Sequence, residues 1–349
     1  MGALLLTMLT TNAQDSTAVP EKKSNFTISG SVDAYFRVDF NDNLSNNRTS
    51  FTNSTGKLAL GMASVKVDYA IKKLSFTADL GVGKRAKEFA YNDKGVLSAV
   101  KQLYGSYAAA DWIKFTVGTW ATHVGYELVD PAGNRNYSMS YMFSYGPFLH
   151  TGAKTELTFG KSGLMLGIAN PTDYRRAPTS NKKALLFQYT YTFSDNVKLY
   201  LNYVGGQRPT DAAKINQYDV VITAKLNDKF NMAYNGTINS SKQQVNNVYA
   251  DASTWGGSAF YFNYDPLKKF GVTLRSEIFN DKNQLAALGS AISGASILAN
   301  TISGNIRLGA FTIVPELRYE SAKNRVFFEK DGTAKSTEAS VLLAAYYKF

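Results

Sequence analysis

The sequence contains no cysteine, only two histidines and no long apolar run among its 349 residues. Without thiols, the chain cannot form disulfide bonds, thiolate metal sites or a thiol redox centre. No stretch approaches the roughly 20 consecutive apolar residues that a membrane-spanning helix needs. Two histidines and the absence of a G-x-S-x-G motif leave little material for a metal centre or a nucleophilic triad. We therefore predict no catalytic residue, no metal and no cofactor, with a Ser-His hydrolase as the alternative.

Aromatic residues are abundant instead, with 22 tyrosines and 21 phenylalanines. Apolar and polar residues alternate through residues 25–40, and because side chains alternate across a strand, this pattern predicts one lipid-facing and one wet face. The next strand, over residues 57–70, places Leu58, Leu60 and Met62 on the wet face. That conflict predicts either a bulge near Gly61 or an apolar patch in the lumen. Pro315 lies inside another strand pattern and predicts a second bulge.

The final residues, TEASVLLAAYYKF over 337–349, alternate in the same way up to Phe349. This pattern predicts a membrane strand that closes a barrel, with the last strand of a soluble sandwich as the alternative. The ending also resembles the C-terminal assembly signal of bacterial outer-membrane barrels. That resemblance implies the barrel-assembly machinery as a partner.

Long polar connections alternate with short turns between the predicted strands, and aromatic residues lie beside the short turns. Outer-membrane barrels show this asymmetry between long external loops and short periplasmic turns, and aromatic girdles mark their interfaces. The sequence thus predicts an all-β fold: a 16-stranded antiparallel transmembrane β-barrel with long extracellular loops and short periplasmic turns. Sixteen strands leave room for an aqueous channel.

The first residues predict export rather than a cytoplasmic location. Residues 1–13 combine a short apolar run with small residues at the end, typical of a signal peptide, although the usual basic segment is missing, which indicates a truncated signal. Residues 14–24 are expected to form a disordered periplasmic lead, and residues 25–349 the outer-membrane barrel. A buried N-terminal helix is the alternative for the first segment. The net charge of +11 would suggest nucleic acid in a cytoplasmic protein, but export argues against that partner.

One segment carries a family motif. Residues 117–152 read VGTWATHVGYELVDPAGNRNYSMSYMFSYGPFLHTG. This segment resembles the OmpL-like β-barrel porin family in the following residues: Gly118, Gly125, Tyr126, Glu127, Asn136, Tyr137, Ser138, Ser140, Tyr141, Gly146, Pro147, Phe148, His150, Thr151 and Gly152. His123 replaces a usual proline, and Met139 replaces a basic residue, which weakens any transfer of selectivity. The resemblance implies a porin in the outer membrane of a Gram-negative, Bacteroidetes-like bacterium.

The predicted wet faces carry ten cations and nine acids, and this near balance argues against a dedicated anion ladder. The remaining positive charge falls mostly in loops and turns, for example at Lys84-Arg85-Lys87, Arg175-Arg176 and Lys182-Lys183. Those residues are expected to contact lipopolysaccharide phosphates, to attract anions, or simply to be solvated. The candidates for the pore constriction are Glu127, Asp130, Arg135, Arg37, Lys66, Arg275, Glu277, Arg307 and Arg318.

We expect passive diffusion of small hydrophilic solutes and ions, with the third extracellular loop, around residues 123–145, folded into the lumen. For that loop, the alternative is a flap at the surface. For the whole protein, the alternatives are a substrate-specific channel of the anion or phosphate type, and a plugged barrel that acts as a surface scaffold or binding protein. The expected partners are outer-membrane lipids and small polar solutes, and a homotrimer is expected by analogy.

Overall fold

The computed structural model of the chain describes residues 25–176, 181–290 and 292–349. The predicted signal peptide (1–13) and periplasmic lead (14–24) lie outside these residues. In the described part, no helix combines the length and the apolarity needed to cross a membrane.

Sixteen antiparallel strands form one closed barrel, which confirms the predicted fold class and strand number. Each strand pairs with its neighbours in chain order, and the last pairs with the first. The barrel strands are β1 (Asn25–Asp39), β2 (Leu58–Ile71), β3 (Leu74–Val82), β4 (Val100–Ala110), β5 (Ile113–Ala121), β6 (Leu149–Phe159), β7 (Ser162–Ala169), β8 (Ala184–Ser194), β9 (Val197–Gln207), β10 (Lys214–Lys225), β11 (Phe230–Lys242), β14 (Ser253–Leu267), β15 (Phe270–Asp281), β16 (Ala295–Leu308), β17 (Phe311–Ala322) and β20 (Thr337–Lys348).

The remaining elements all lie in the long loops. Two short hairpins pair β12 (Gln244–Val245) with β13 (Val248–Tyr249) and β18 (Phe327–Phe328) with β19 (Ala334–Lys335). The helices are α1 (Lys84–Phe89), α2 (Tyr141–Tyr145) and the 3-10 turns Leu44–Asn46, Gly95–Ala99 and Pro131–Gly133. The connections at the opposite end of the barrel are short, so the predicted asymmetry of the loops is confirmed.

The two faces of the strands differ as the alternation predicts. In β1 the large apolar residues of the outward face are exposed, whereas every second residue from Ser31 to Asp39 is buried in the barrel. The aromatic residues that the sequence places beside the short turns are all exposed on the outer face: Tyr69, Phe76, Phe115, Phe159, Phe193, Phe230, Tyr264, Phe270, Phe311, Tyr347 and Phe349. Closure leaves no unpaired edge among the sixteen described barrel strands, and a lipid environment could not satisfy such an edge.

The predicted bulge near Gly61 is present. Val32 pairs with Ala63 and Ala34 with Leu60, so two residues of β2 face one residue of β1. The extra residue changes the phase of the strand: Leu60 points outward, whereas Met62 is buried inside. Glycine is required at this position because a Cβ on Gly61 would lie 1.7 Å from Oδ2 of Asp33.

The bulge predicted at Pro315 is wrong. The pairs on either side of it, Ser303 with Glu316 and Ile306 with Ile313, keep one register. Pro315 also stays in register with Leu343 on the other neighbouring strand. The sheet tolerates proline here because its missing N–H interrupts the ladder between β16 and β17 only locally, and the side chain points outward.

Strand β20 closes the barrel by pairing with β17 on one side and with β1 on the other. Phe349 extends the seam with β1, since its backbone N–H donates to the Gly30 carbonyl at 3.1 Å and its carbonyl accepts from the Gly30 N–H at 3.0 Å. The closing role predicted for this strand is confirmed.

Candidate functional site

The third loop, defined here as residues 122–148, carries the family motif and has internal structure of its own. Asn134 closes a compact turn, because its side chain accepts from the Leu128 N–H at 2.9 Å and donates to the Leu128 carbonyl at 2.6 Å. Ser140 caps α2 by accepting from the Phe143 N–H at 3.1 Å. The turn at Asn134 therefore fixes the chain before the motif segment Tyr137–Tyr141, and the helix cap at Ser140 fixes the end of that segment.

Backbone N–H groups of this segment donate to carboxylates. Two of the carboxylates stand on barrel strands, and the third belongs to the loop itself. The bonds run from Tyr137 N to Glu316 at 2.9 Å, from Ser140 N to Glu127 at 2.8 Å and from Tyr141 N to Glu277 at 2.9 Å. Charged acceptors make hydrogen bonds about twice as strong as neutral ones. The wall acids thus bind the main chain of the loop.

Two arginines bind the carbonyl groups of the same segment. Arg275 on β15 donates to the carbonyls of Ser138 at 2.7 Å and Met139 at 3.1 Å, and it pairs with Glu127 at 2.6 Å. Arg318 on β17 donates to the Met139 carbonyl at 3.1 Å. Both arginines are buried. We call this set the clamp: Tyr137–Tyr141 with Glu127, Arg275, Glu277, Glu316 and Arg318.

The tyrosines at the two ends of the segment reach different strands with their side chains. The Tyr137 hydroxyl donates to Asp33 on β1. The Tyr141 hydroxyl donates to Glu320 on β17 at 2.7 Å, and its ring stacks on Phe279 with 5.0 Å between centroids. These two motif tyrosines therefore fix the loop to strands β1, β15 and β17.

Five of the nine predicted constriction residues lie in buried networks rather than at a water surface. Four belong to the clamp: Glu127, Arg275, Glu277 and Arg318. The fifth, Arg37, pairs with Glu338 at 3.0 Å and Asp39 at 3.4 Å, also out of contact with water. The side chains of all five are at most 5% exposed.

The other four predicted residues keep access to water. Asp130 is 32% exposed and accepts from Lys101 at 2.6 Å, and Lys66 is 37% exposed and pairs with Asp68 at 3.0 Å. Arg135 and Arg307 share a single carboxylate, that of Asp265, at 2.6 and 2.7 Å. The structure thus brings Arg135 of the loop and Arg307 of β16 together.

Lys101 and Glu320 belong to the charged interior but escaped the sequence interpretation. A register shift between β3 and β4 inserts Lys101 as an extra residue, because Asp79 pairs with Gln102 and Leu80 pairs with Val100. An alternating pattern of apolar and polar residues could not predict that Lys101 faces the interior. The sequence pattern predicts a loop over residues 320–336, whereas β17 extends to Ala322 and so includes Glu320.

A charged cavity of about 330 Å³ lies between the third loop and strands β2 to β8. Lys114 and Lys154 share Glu156 there, at 2.8 and 3.4 Å. His123, which follows β5, also lines this cavity, and burial lowers its pKa to about 4, so the imidazole is neutral at pH 7.

Two of the loop cations predicted to face lipid or solvent are buried instead. Arg85 is fully buried, with its guanidinium 4.7 Å from the ring centroid of Tyr137. Arg175 pairs with Asp93 at 2.6 Å. These ring and ion-pair contacts offset the desolvation cost of the two buried guanidinium groups. Neither arginine is therefore available to lipopolysaccharide phosphates.

Met139, where the resemblance implies a basic residue, is fully buried. Its side chain packs in an apolar cluster with Phe51, Phe89, Phe143 and Phe148. In this chain, position 139 therefore contributes its carbonyl to the clamp and its side chain to packing. Across the described residues, no group of three or more histidines and acids is arranged to hold a metal ion.

Comparison with known proteins places this architecture in a family. The model of the family described as "Putative beta-barrel porin-2, OmpL-like" matches residues 25–349. No curated protein sequence matches the chain.

Solved outer-membrane proteins share the fold at low sequence identity. The outer-membrane expressed OmpT of Vibrio cholerae is 10% identical, with a TM-score of 0.59 over 95% of this chain and 99% of that chain. The anion-selective porin from Comamonas acidovorans is also 10% identical, with a TM-score of 0.59 over 94% of this chain and 100% of that chain. Since the family match spans the whole barrel, the chain belongs to the OmpL-like β-barrel porin-2 family and is a bacterial outer-membrane protein.

Proposed function

We propose that the barrel lets small hydrophilic solutes and ions diffuse passively across the outer membrane, and that the third loop narrows the path. The observation that carries this proposal is the clamp. Its partners, Glu277, Arg275, Glu316 and Arg318, stand on the inward faces of β15 and β17. Binding to those side chains supports a position of the loop in the interior rather than at the surface.

The position of the clamp also supports a particular route for solutes. It engages the β15 to β1 side of the barrel, whereas the charged cavity lies on the β2 to β8 side. Water-exposed Lys66, Lys114 and Asp130 face that second side. The path would therefore run between the loop and the wall that carries these lysines.

The distribution of charge supports a weak preference for anions. Most interior acids hold loop N–H groups or buried arginines, so protein separates them from the path. Among the clusters outside the clamp that reach water, two contain one more cation than acid: Lys114 and Lys154 with Glu156, and Arg135 and Arg307 with Asp265. One cluster, in which Lys101 binds Asp79 and Asp130, has the opposite excess. Charges near a narrow aqueous path bias ion choice because screening there is poor.

Planar-bilayer recording separates the candidate functions. Passive diffusion predicts open channels with ohmic conductance, a substrate-specific channel predicts conductance that saturates, and a plugged scaffold predicts silence. Purified protein that is folded and inserted yet electrically silent would refute the proposal.

The place of the loop in the path is tested with single cysteines, because the chain has none of its own. Asp130→Cys should lose conductance when a bulky thiol reagent is added, since residue 130 borders the charged cavity. Asn247→Cys, in the exposed turn between β12 and β13, is the matched control and should be unaffected. Equal responses would place residue 130 outside the path.

Assembly belongs to the same proposal. The backbone bonds between Phe349 and Gly30 support a role for the terminal residue in closing the barrel, and therefore in recognition by the barrel-assembly machinery. The homotrimer is proposed from the porin fold alone. Cross-linking of membranes followed by electrophoresis tests it, and a monomeric band alone would refute it.

A further inference from the structure

A second interior cavity, of about 430 Å³, opens at the loop end of the barrel. Its volume lies within the range of about 300 to 1,000 Å³ typical of small-molecule sites. Among its lining residues, only Asp173 and Arg208 are charged. Asp173 is occupied by the N–H groups of Phe148 and Leu149, at 2.7 and 2.9 Å, and Arg208 pairs with Asp211 at 2.9 Å. Within the described residues, the cavity therefore offers no unpaired charge to a ligand.

Aromatic side chains form part of the lining: Tyr91, Tyr145, Tyr174 and Trp255. Two of them are held from behind by one ring. The centroid of Phe279 lies 5.9 Å from that of Tyr145 and 5.5 Å from that of Trp255. Aromatic rings fixed in this way present rigid apolar surfaces at little cost in side-chain entropy.

Amides provide the polar part of the lining, and one of them is incompletely bonded. Gln217 on β10 is only 4% exposed. Its Oε1 accepts from Asn239 at 3.2 Å, whereas its Nε2 has no hydrogen-bond partner in the described parts of the chain. A buried donor without an acceptor is destabilising, so a ligand oxygen at this place would be favoured.

We propose that this cavity binds a neutral, polyhydroxylated solute of the size of a mono- or disaccharide. A pyranose ring has an apolar C–H face that fits an aromatic ring and hydroxyl oxygens that accept from an amide such as Gln217. An anion lacks an unpaired cation here, and a purely apolar ligand would leave the Gln217 donor unsatisfied. The site adds a saturable binding step to the proposed diffusion and does not depend on the ion preference of the path.

The experiment uses the full-length protein in detergent, with Trp112→Phe and Trp120→Phe, so that Trp255 is the only tryptophan. Titration with maltose should change its fluorescence in a saturable way, whereas sodium succinate should not. Gln217→Glu keeps the size and the acceptor but removes the donor, and should weaken maltose binding at least tenfold. Asn231→Asp makes the same change at an inward amide outside this cavity and should bind maltose normally.

Linear, unsaturated responses to maltose would overturn the proposal, as would saturation by succinate alone or equal binding by Gln217→Glu. If Gln217→Glu does not fold, Tyr91→Ala takes its place, since Tyr91 is 59% exposed and should tolerate truncation. Fluorescence needs no conduction. Saturable maltose binding by a protein that is silent in bilayers would therefore refute the proposed pore but support this binding site. Ohmic conductance without maltose binding would support the pore and refute the binding site.

Discussion

Replacing Arg275 by methionine tests the clamp directly. The guanidinium is fully buried and donates to Glu127 at 2.6 Å, to the Ser138 carbonyl at 2.7 Å and to the Met139 carbonyl at 3.1 Å. Methionine fills similar space but donates nothing. The carboxylate of Glu127 would then be buried without its cation, and two carbonyls would each lose a donor.

The size of the effect follows from the burial of the pair. Removing one partner of a buried ion pair costs about 3 to 5 kcal/mol, because the other charge stays desolvated. At about 1.4 kcal/mol per factor of ten, the ratio of clamped to released loop should fall by about 10²- to 10⁴-fold. Arg275→Lys retains the charge but not the planar fork, so its effect should be intermediate.

Single-channel recording measures this change. A released loop should give a noisier channel with a larger and more variable conductance, while the heat-modifiable band on gels confirms that the barrel has formed. Lys330→Met is the matched control, since its ion pair with Asp42 is exposed and such pairs contribute about 0 to 1 kcal/mol. Wild-type conductance and noise in folded Arg275→Met would refute the idea that the clamp holds the loop in the path.

Three further predictions concern the pore, the lipid face and the topology. Asp130→Lys should shift the reversal potential in a potassium chloride gradient in the direction of anion selectivity. The loop should stay bound in this variant, whereas Glu127→Lys would also disrupt the clamp. An unchanged reversal potential would count against the proposed path. Leu343→Lys places a charge on the outer face at a cost of about 2 to 4 kcal/mol and should reduce heat-modifiable protein. Cysteines at Asn247 and Asp331 should be labelled by impermeant reagents on intact cells, whereas those at Lys73, Asp195 and Asp228 should not. Asn46 lies in a long loop as well, but it is buried against the backbone of Phe328 and is therefore unsuitable as a labelling site.

The barrel could be predicted because its signal is local. Alternation with period two and the spacing of turns depend only on neighbouring residues, and even the bulge at Gly61 showed itself as a break in that period. Pro315 misled the interpretation because proline excludes a ladder bond without requiring an extra residue. Lys101 was missed because an extra residue in β4 turns the Lys101 side chain to the inner face, and no proline or glycine at that position indicates the irregularity.

The clamp could not be predicted because its partners are far apart in the chain. Arg275 meets Ser138 across 137 residues, and Glu316 meets Tyr137 across 179. The family motif did identify the loop half of the contact. No comparable signal marks the wall half, because arginines and glutamates on a wet face are also what an open channel would carry.

The count of ten cations against nine acids on the predicted wet faces illustrates the limit of a tally. It treats every inward charge as equally available to a passing ion. In the structure, Glu277 and Glu316 are bound to the main chain of the loop, and Arg275 and Arg318 to its carbonyls. A charge satisfied in this way acts on ions mainly through the position of the loop it holds. The ion preference of the proposed channel should therefore depend on the exposed clusters around Lys114 and Arg135 and on the exposed carboxylate of Asp130, and only indirectly on the larger buried network.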